Sequence, residues 1–97
     1  MAELPRPKSR RPLLEYVTSP GCADCSAFER TLDQVAPDFP GVDVRAVDAA
    51  TARGLALSLG QGILRFPVIV LDNEVLAIES IAESDLRSAL ALAVAPR

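Results

Sequence analysis

Hydrophobic and polar positions along the chain follow two alternating periods. LLEYVT, residues 13–18, reads as a short strand and is bounded by the turn residues Ser19, Pro20 and Gly21. From about Cys22 to Ala36 the period becomes helical. Phe28, Leu32 and Val35 fall at i, i+4 and i+7, while Glu29, Arg30, Asp33 and Gln34 take the other face and Pro37 ends the helix. In Val42 to Asp48, Val42, Val44 and Ala46 alternate with Asp43 and Arg45, the pattern of a half-exposed strand at a sheet edge. A second helix is expected from about Thr51 to Leu59, with Ala52, Leu55, Ala56 and Leu59 on one face and Gly60 at its stop. PVIVL, residues 67–71, is an unbroken apolar run that suits a strand covered on both faces. Asp72 and Asn73 tolerate the left-handed backbone of a tight turn into a return strand, Val75 to Ile78. A last helix is expected from about Ser84 to Ala93. Leu86, Leu90 and Ala93 face inward, Ser84 is its cap, and Asp85 lies in its first turn.

The order is β-α-β-α-β-β-α, an α/β class. A βαβ unit gives a parallel pair by a right-handed crossover, and a hairpin with a closing helix completes a mixed four-stranded sheet with helices on both faces. Ninety-seven residues, 49% hydrophobic and 24% charged, fit one soluble domain, expected over residues 13–97 as a monomer. No run approaches the ~20 apolar residues of a membrane helix. The apolar stretch after the basic start is too short and strand-like for a signal segment, so a cytoplasmic location and no membrane partner are expected. A net charge of −3 argues against a nucleic-acid partner. Residues 1–12 set Arg6, Lys8, Arg10 and Arg11 against Glu3 alone, with no apolar anchor among them, and read as a flexible basic tail.

The chemistry concentrates in GCADC, residues 21–25. Cys22 and Cys25 are the chain's two cysteines, set three apart where a strand meets a helix. In a reducing compartment such a pair is more often catalytic or metal-binding than structural. A loop this short also stabilises little when closed by a disulfide. Cys22 would stand at the helix start, where unpaired amides and the dipole favour an anion and lower a thiol's pKa. Cys25, one turn on, would be more buried. In exchange chemistry Cys22 attacks a substrate disulfide and Cys25 resolves the mixed disulfide. Asp24 between them opposes ionisation of Cys22, which predicts a moderately stabilised thiolate and a reducing pair. The rival reading is a CxxC metal or iron–sulfur module, which the absence of histidine would require two chains to complete. A third reading is a redox-inert adaptor, which the intact pair disfavours.

In LRFPVIV, residues 64–70, Pro67 opens what reads as an internal strand, a position tolerated because it is the strand's first residue. Strand LLEYVT, the GCADC turn and helix, the βαβ unit, FPVIV, the LDNEVLAI hairpin and the final helix together resemble the thioredoxin superfamily over about residues 13–93. In style the chain looks most like the small glutaredoxin-like and thioredoxin-like redox proteins. The resemblance implies a cis bond before Pro67, with Pro67 against the cysteine pair. It implies that the Phe66 backbone pairs with an extended substrate segment. It also implies dithiol–disulfide exchange by Cys22 and Cys25 with protein or low-molecular-weight disulfides, without a cofactor, the electrons coming from a reductase or glutathione. Gly21 and Asp24 join Phe66 and Pro67 as candidate substrate contacts. The chain departs from thioredoxins in having no Trp, with Gly21 before the first cysteine. The family's buried acid on the first strand falls at Tyr16, which reads as core packing, while Glu15 alternates to the opposite face. The proton acceptor for Cys25 is left open between water and Asp24. Residues 79–83, ESIAE, lack the Gly-Gly-x-Asp-like turn of glutathione-using glutaredoxins.

Overall fold

Leu14 and Tyr16 point to one side of the first strand and Glu15 and Val17 to the other, and all four are buried. That burial requires cover on both faces. The structure, a computed structural model, describes residues 11–59 and 65–95. Its elements are β1 (Leu13–Thr18), α1 (Ala23–Val35), β2 (Asp43–Asp48), α2 (Ala52–Leu59), β3 (Val68–Leu71), β4 (Glu74–Ile78) and α3 (Glu83–Val94). The strand order is β2-β1-β3-β4. β1 runs parallel to β2 and antiparallel to β3, and β3 is antiparallel to β4. This is the mixed four-stranded α/β arrangement expected from the element order.

Two hydrophobic layers hold the sheet. Leu14, Tyr16 and Ile69 pack with Phe28, Leu32 and Val35 of α1 and Leu86 and Leu90 of α3. On the other face Val17, Val47, Val68 and Val70 pack with Leu57 of α2 and with Phe66. The VIV of β3 is wholly buried because β3 is internal and alternates between these layers. In the β3–β4 turn Asp72 (φ 49°) and Asn73 (φ 69°) are both left-handed, as their residue types allow. Asp72 also ties the turn to β1: its N–H donates to the Leu13 carbonyl at 2.9 Å and its Oδ1 accepts the Leu13 N–H at 2.9 Å.

Several expectations are corrected. α2 docks through Gly54, Leu57 and Ser58, whereas Leu55 and Leu59 are 45% and 61% exposed. A Cβ on Gly54 would collide with the Asp48 carbonyl, so the smallest residues, not the most apolar, mark the contact stripe. Thr51 precedes the helix and caps it, its Oγ1 accepting the Gly54 N–H at 3.0 Å. β2 is the edge strand expected, but its buried residue is Val47, and Val44 is exposed because α1 and α3 sit over β1 and β3. The α-helical part of α1 stops at Val35, and Pro37 lies in a following 3-10 turn, Ala36–Asp38. Ser84 does not cap α3. The helix begins at Glu83 with Ala82 as its N-cap, whose carbonyl accepts the Leu86 N–H at 3.0 Å. Gly60 and, apart from Arg11 and Pro12, the expected basic tail lie outside the described residues. Arg11 pairs with Asp43 at 2.8 Å. No helix of the described residues is long and apolar enough to cross a membrane.

Candidate active site

The chain leaves β1 at Thr18 and reverses through Ser19, Pro20 and Gly21 into α1. Gly21 is left-handed (φ 74°) with open space around it, so the glycine answers a backbone need, not a packing one. The turn delivers Cys22 to the N-cap of α1 in extended conformation. There its Sγ accepts the Cys25 N–H at 3.0 Å, which satisfies one of the unpaired donors of the helix start. Cys22 is half-buried. Cys25, one turn along, is 5% exposed and lies on the buried stripe with Phe28 and Leu32. The two sulfurs form a disulfide, with their Cα atoms 5.2 Å apart.

From across the sheet the Phe66–Pro67 segment meets this pair. Its peptide bond is cis. The Phe66 carbonyl oxygen lies 3.6 Å from Cys22 Sγ, and the Phe66 ring packs into the valine layer beneath α2. Pro67 is fully buried, and its carbonyl accepts the Glu79 N–H at 2.8 Å. Glu79 itself has φ 75° and pairs with Arg65. Of the expected site residues, the structure therefore brings together Cys22, Cys25, Gly21 and the Phe66 backbone. Asp24 is exposed in the first turn of α1 and does not line the cleft.

An open cleft of about 400 Å³ runs beside the cysteines, lined by Thr18, Gly21, Cys22, Cys25, Ser26 and Glu29 among others. Glu29 is the member that helical periodicity assigns to the solvent face. It is exposed, yet its Oε2 accepts the hydroxyl of the buried Tyr16 at 2.9 Å. The signal that locates it is its spacing of four residues from Cys25, which places both on one side of α1. Tyr16 is core, as expected, its ring edge-on to Phe28 at 5.2 Å. Burial, and then the Glu29 carboxylate that accepts its hydrogen bond, push its hydroxyl up to about 12.

On the opposite face, as alternation requires, Glu15 is 1% exposed and pairs with Arg53 of α2. The hydrogen bond from Arg53 holds its carboxyl below the usual value against the opposing effect of burial, with Arg45 adding a weaker pull. Among the described residues of one chain no group of three or more His, Cys, Asp and Glu could hold a metal ion.

No family model matches the sequence, and no curated protein matches it. The fold does have solved counterparts. An uncharacterized thioredoxin-like protein from Clostridium perfringens is similar with a TM-score of 0.69 at 13% identity, over 87% of this chain and 71% of that one. Fasciola hepatica thioredoxin is similar with a TM-score of 0.63 at 17% identity, over 86% of this chain and 81% of that one. Thioredoxin O2 from Arabidopsis thaliana, in its oxidized state, is similar with a TM-score of 0.60 at 20% identity, over 84% of this chain and 74% of that one. The chain therefore has a thioredoxin-like fold and carries a CxxC-spaced disulfide at the start of its first helix.

Proposed function

We propose that the protein is a small thiol–disulfide oxidoreductase in which Cys22 is the nucleophile and Cys25 the resolving thiol. The observation that carries this reading is the asymmetry of the pair. Cys22 Sγ is half-buried and receives a backbone N–H at 3.0 Å, while Cys25 lies buried one turn deeper. An amide donor at a helix start favours the thiolate, so Cys22 is the sulfur that ionises and meets substrate. In the reduced protein the Cys22 thiolate attacks one sulfur of a substrate disulfide, and the other substrate sulfur leaves as a thiolate. Cys25, deprotonated, then attacks Cys22, which closes the intramolecular disulfide and releases the second substrate thiolate. Two electrons pass from the cysteine pair to the substrate disulfide.

The carbonyl of Phe66 beside Cys22 supports pairing of an extended substrate segment with this backbone, a form of β-augmentation that suits protein disulfides. Gly21 shapes the rim, and Asp24 meets substrate only outside the cleft. A reductase or glutathione in the cytoplasm would restore the dithiol. A measured potential near −270 mV groups the protein with thioredoxins, and one of about −200 to −230 mV with glutaredoxins.

The test is insulin-disulfide reduction with dithiothreitol as electron source. Cys22→Ser is expected to abolish catalysis, and Cys25→Ser to accumulate mixed disulfides detectable by mass. Undiminished turnover by Cys22→Ser removes the reading.

A further inference from the structure

We propose that Glu29, held over the cleft by Tyr16, is the base that takes the proton from Cys25 when this thiol resolves the mixed disulfide. The inference deepens the oxidoreductase reading and rests on it.

The need for a base comes from burial. In the mixed disulfide Cys25 is a free thiol in an almost solvent-free position, which disfavours its thiolate, yet only the thiolate attacks. The N-terminal amide of α1 nearest the pair is spent on Cys22, since the Cys25 N–H donates to Cys22 Sγ. The chain has no histidine. Glu15, the buried acid of β1, faces the opposite layer and is engaged by Arg53. Asp24 lies outside the cleft.

Glu29 remains, and it is placed for the task. It lies one helical turn beyond Cys25 and lines the same cleft. Side chains at i and i+4 have Cβ atoms about 5–6 Å apart, within reach of a transfer through one bridging water. A glutamate on a helix surface would ordinarily sample many rotamers. This one is tied by the Tyr16 hydroxyl, whose ring is 7% exposed and packed on Phe28. The hydroxyl of Tyr16 keeps its proton until far above neutrality, so it remains a donor to Glu29 at working pH. Oε2 takes this bond, and Oε1 accepts none from the described residues.

The charged surroundings are simple. On α1 itself Asp24, Arg30 and Asp33 flank Glu29, and Asp33 also bears on the Tyr16 hydroxyl. From β1 it faces Tyr16. Arg87 of α3 is engaged by Glu83 and Asp38. Among the described residues no arginine or lysine forms an ion pair with Glu29.

The step balances. The Cys25 S–H bond breaks and its proton passes to the Glu29 carboxylate. The electron pair left on Cys25 forms the bond to Cys22 sulfur. The bond between Cys22 and substrate sulfur breaks, and substrate departs as a thiolate that water protonates. When the protein's own disulfide is reduced, Cys25 takes its proton back from solvent.

The test separates the two cysteines kinetically. Reduced full-length protein is mixed with Ellman's reagent, and release of thionitrobenzoate is followed in a stopped-flow instrument across pH 5.5–9.5. The first equivalent reports attack by Cys22 and the second reports resolution by Cys25. For Glu29→Gln, the second phase is expected to slow by about 10- to 100-fold at pH 7 and to climb with hydroxide up to high pH. Tyr16→Phe, with Tyr16 a positioning residue, should slow it about 3- to 10-fold and shift the profile the same way. The sign is decisive. If Glu29 were only a nearby negative charge, its neutralisation would ease ionisation of Cys25 and speed the second phase. A second phase that is unchanged or faster in Glu29→Gln overturns the proposal while leaving the oxidoreductase reading intact. Absence of a first phase in the unmodified protein overturns both.

Discussion

Removing Arg53 should expose the cost of the buried carboxylate beneath α2. The Glu15 side chain is 1% exposed and takes two hydrogen bonds from Arg53, at 2.6 and 3.1 Å. Truncating one partner of a fully buried pair costs about 3–5 kcal/mol. Here the Arg53 side chain is 44% exposed, and Arg45 remains 4.0 Å from Glu15, so water and a second cation soften the loss. For Arg53→Met we expect a destabilisation of about 2 kcal/mol at pH 7. With a slope of about 1 kcal/mol per molar urea for a chain this small, the midpoint should fall by about 2 M. Far-UV circular dichroism is the suitable probe, because the chain has no Trp and one Tyr. The sign with pH is the sharper test. In the unmodified protein the Glu15 carboxyl is held below its usual value of 4.5, so its contribution is present above that pH and lost as pH falls through the lower folded value. In Arg53→Met burial is opposed only by the weaker pull of Arg45, so the folded value rises and the variant loses less stability on acidification than the unmodified protein. The gap between the two proteins should therefore narrow from pH 7.5 to 4.5. Arg53 also donates to Asn73 Oδ1 at 2.7 Å, an exposed bond that Asn73→Gly controls for, because glycine keeps the left-handed turn. The double variant Glu15→Leu/Arg53→Met should recover most of the loss. A gap below about 0.5 kcal/mol, or one that does not change with pH, refutes the ionic account.

Gly54→Ala should destabilise by about 2 kcal/mol or more, read by the same urea titration. The added methyl meets the Asp48 carbonyl and outweighs the ~1 kcal/mol gained in helix propensity; a stabilised variant would mean that α2 does not dock so closely. Tyr16 should make the protein alkali-sensitive. Its folded pKa of about 12 exceeds the ordinary 10.0, so its contribution is whole below pH 10 and lost as pH rises through 12. At 1.36 kcal/mol per pH unit this is about 2–3 kcal/mol. Tyr16→Phe should flatten the decline in stability between pH 10 and 12, and an unaltered slope would count against the buried hydrogen bond to Glu29.

The features legible in the chain are those that periodicity and local chemistry determine. The order of elements, the buried run of β3, the left-handed Asp72 and Asn73, and Cys22 at a helix start all depend on nearby residues. The features that escape depend on distances between elements. Leu55 and Leu59 look like a docking stripe, but α2 approaches the end of β2 so closely at Gly54 that a Cβ there would collide, and the helix faces the sheet with Gly54, Leu57 and Ser58 instead. Val44 alternates correctly yet lacks a helix above it. Ser84 has the chemistry of a cap, but the backbone already turns helical at Glu83. Glu29 falls on the polar face of α1, and a helical pattern cannot reveal that a tyrosine from a neighbouring strand will reach it.

The register of β1 joins the structural ion pair to the candidate site. Glu15 and Tyr16 are neighbours in sequence with opposite tasks, one neutralised beneath α2, the other holding Glu29 beside the cysteines. A slip of one residue would exchange the faces. Tyr16 would then sit under α2, and a carboxylate would enter the apolar layer of Phe28 and Leu32, away from Arg53. Both ends of the strand resist such a slip. Leu13 is bonded through its N–H and its carbonyl to Asp72, the Asp43 N–H bonds the Pro12 carbonyl at 2.9 Å, and the Ala49 N–H bonds the Thr18 carbonyl at 2.8 Å. The hairpin turn thus acts at a distance on the chemistry. By fixing which side of the sheet Tyr16 faces, it fixes where the carboxylate that lines the cleft is held.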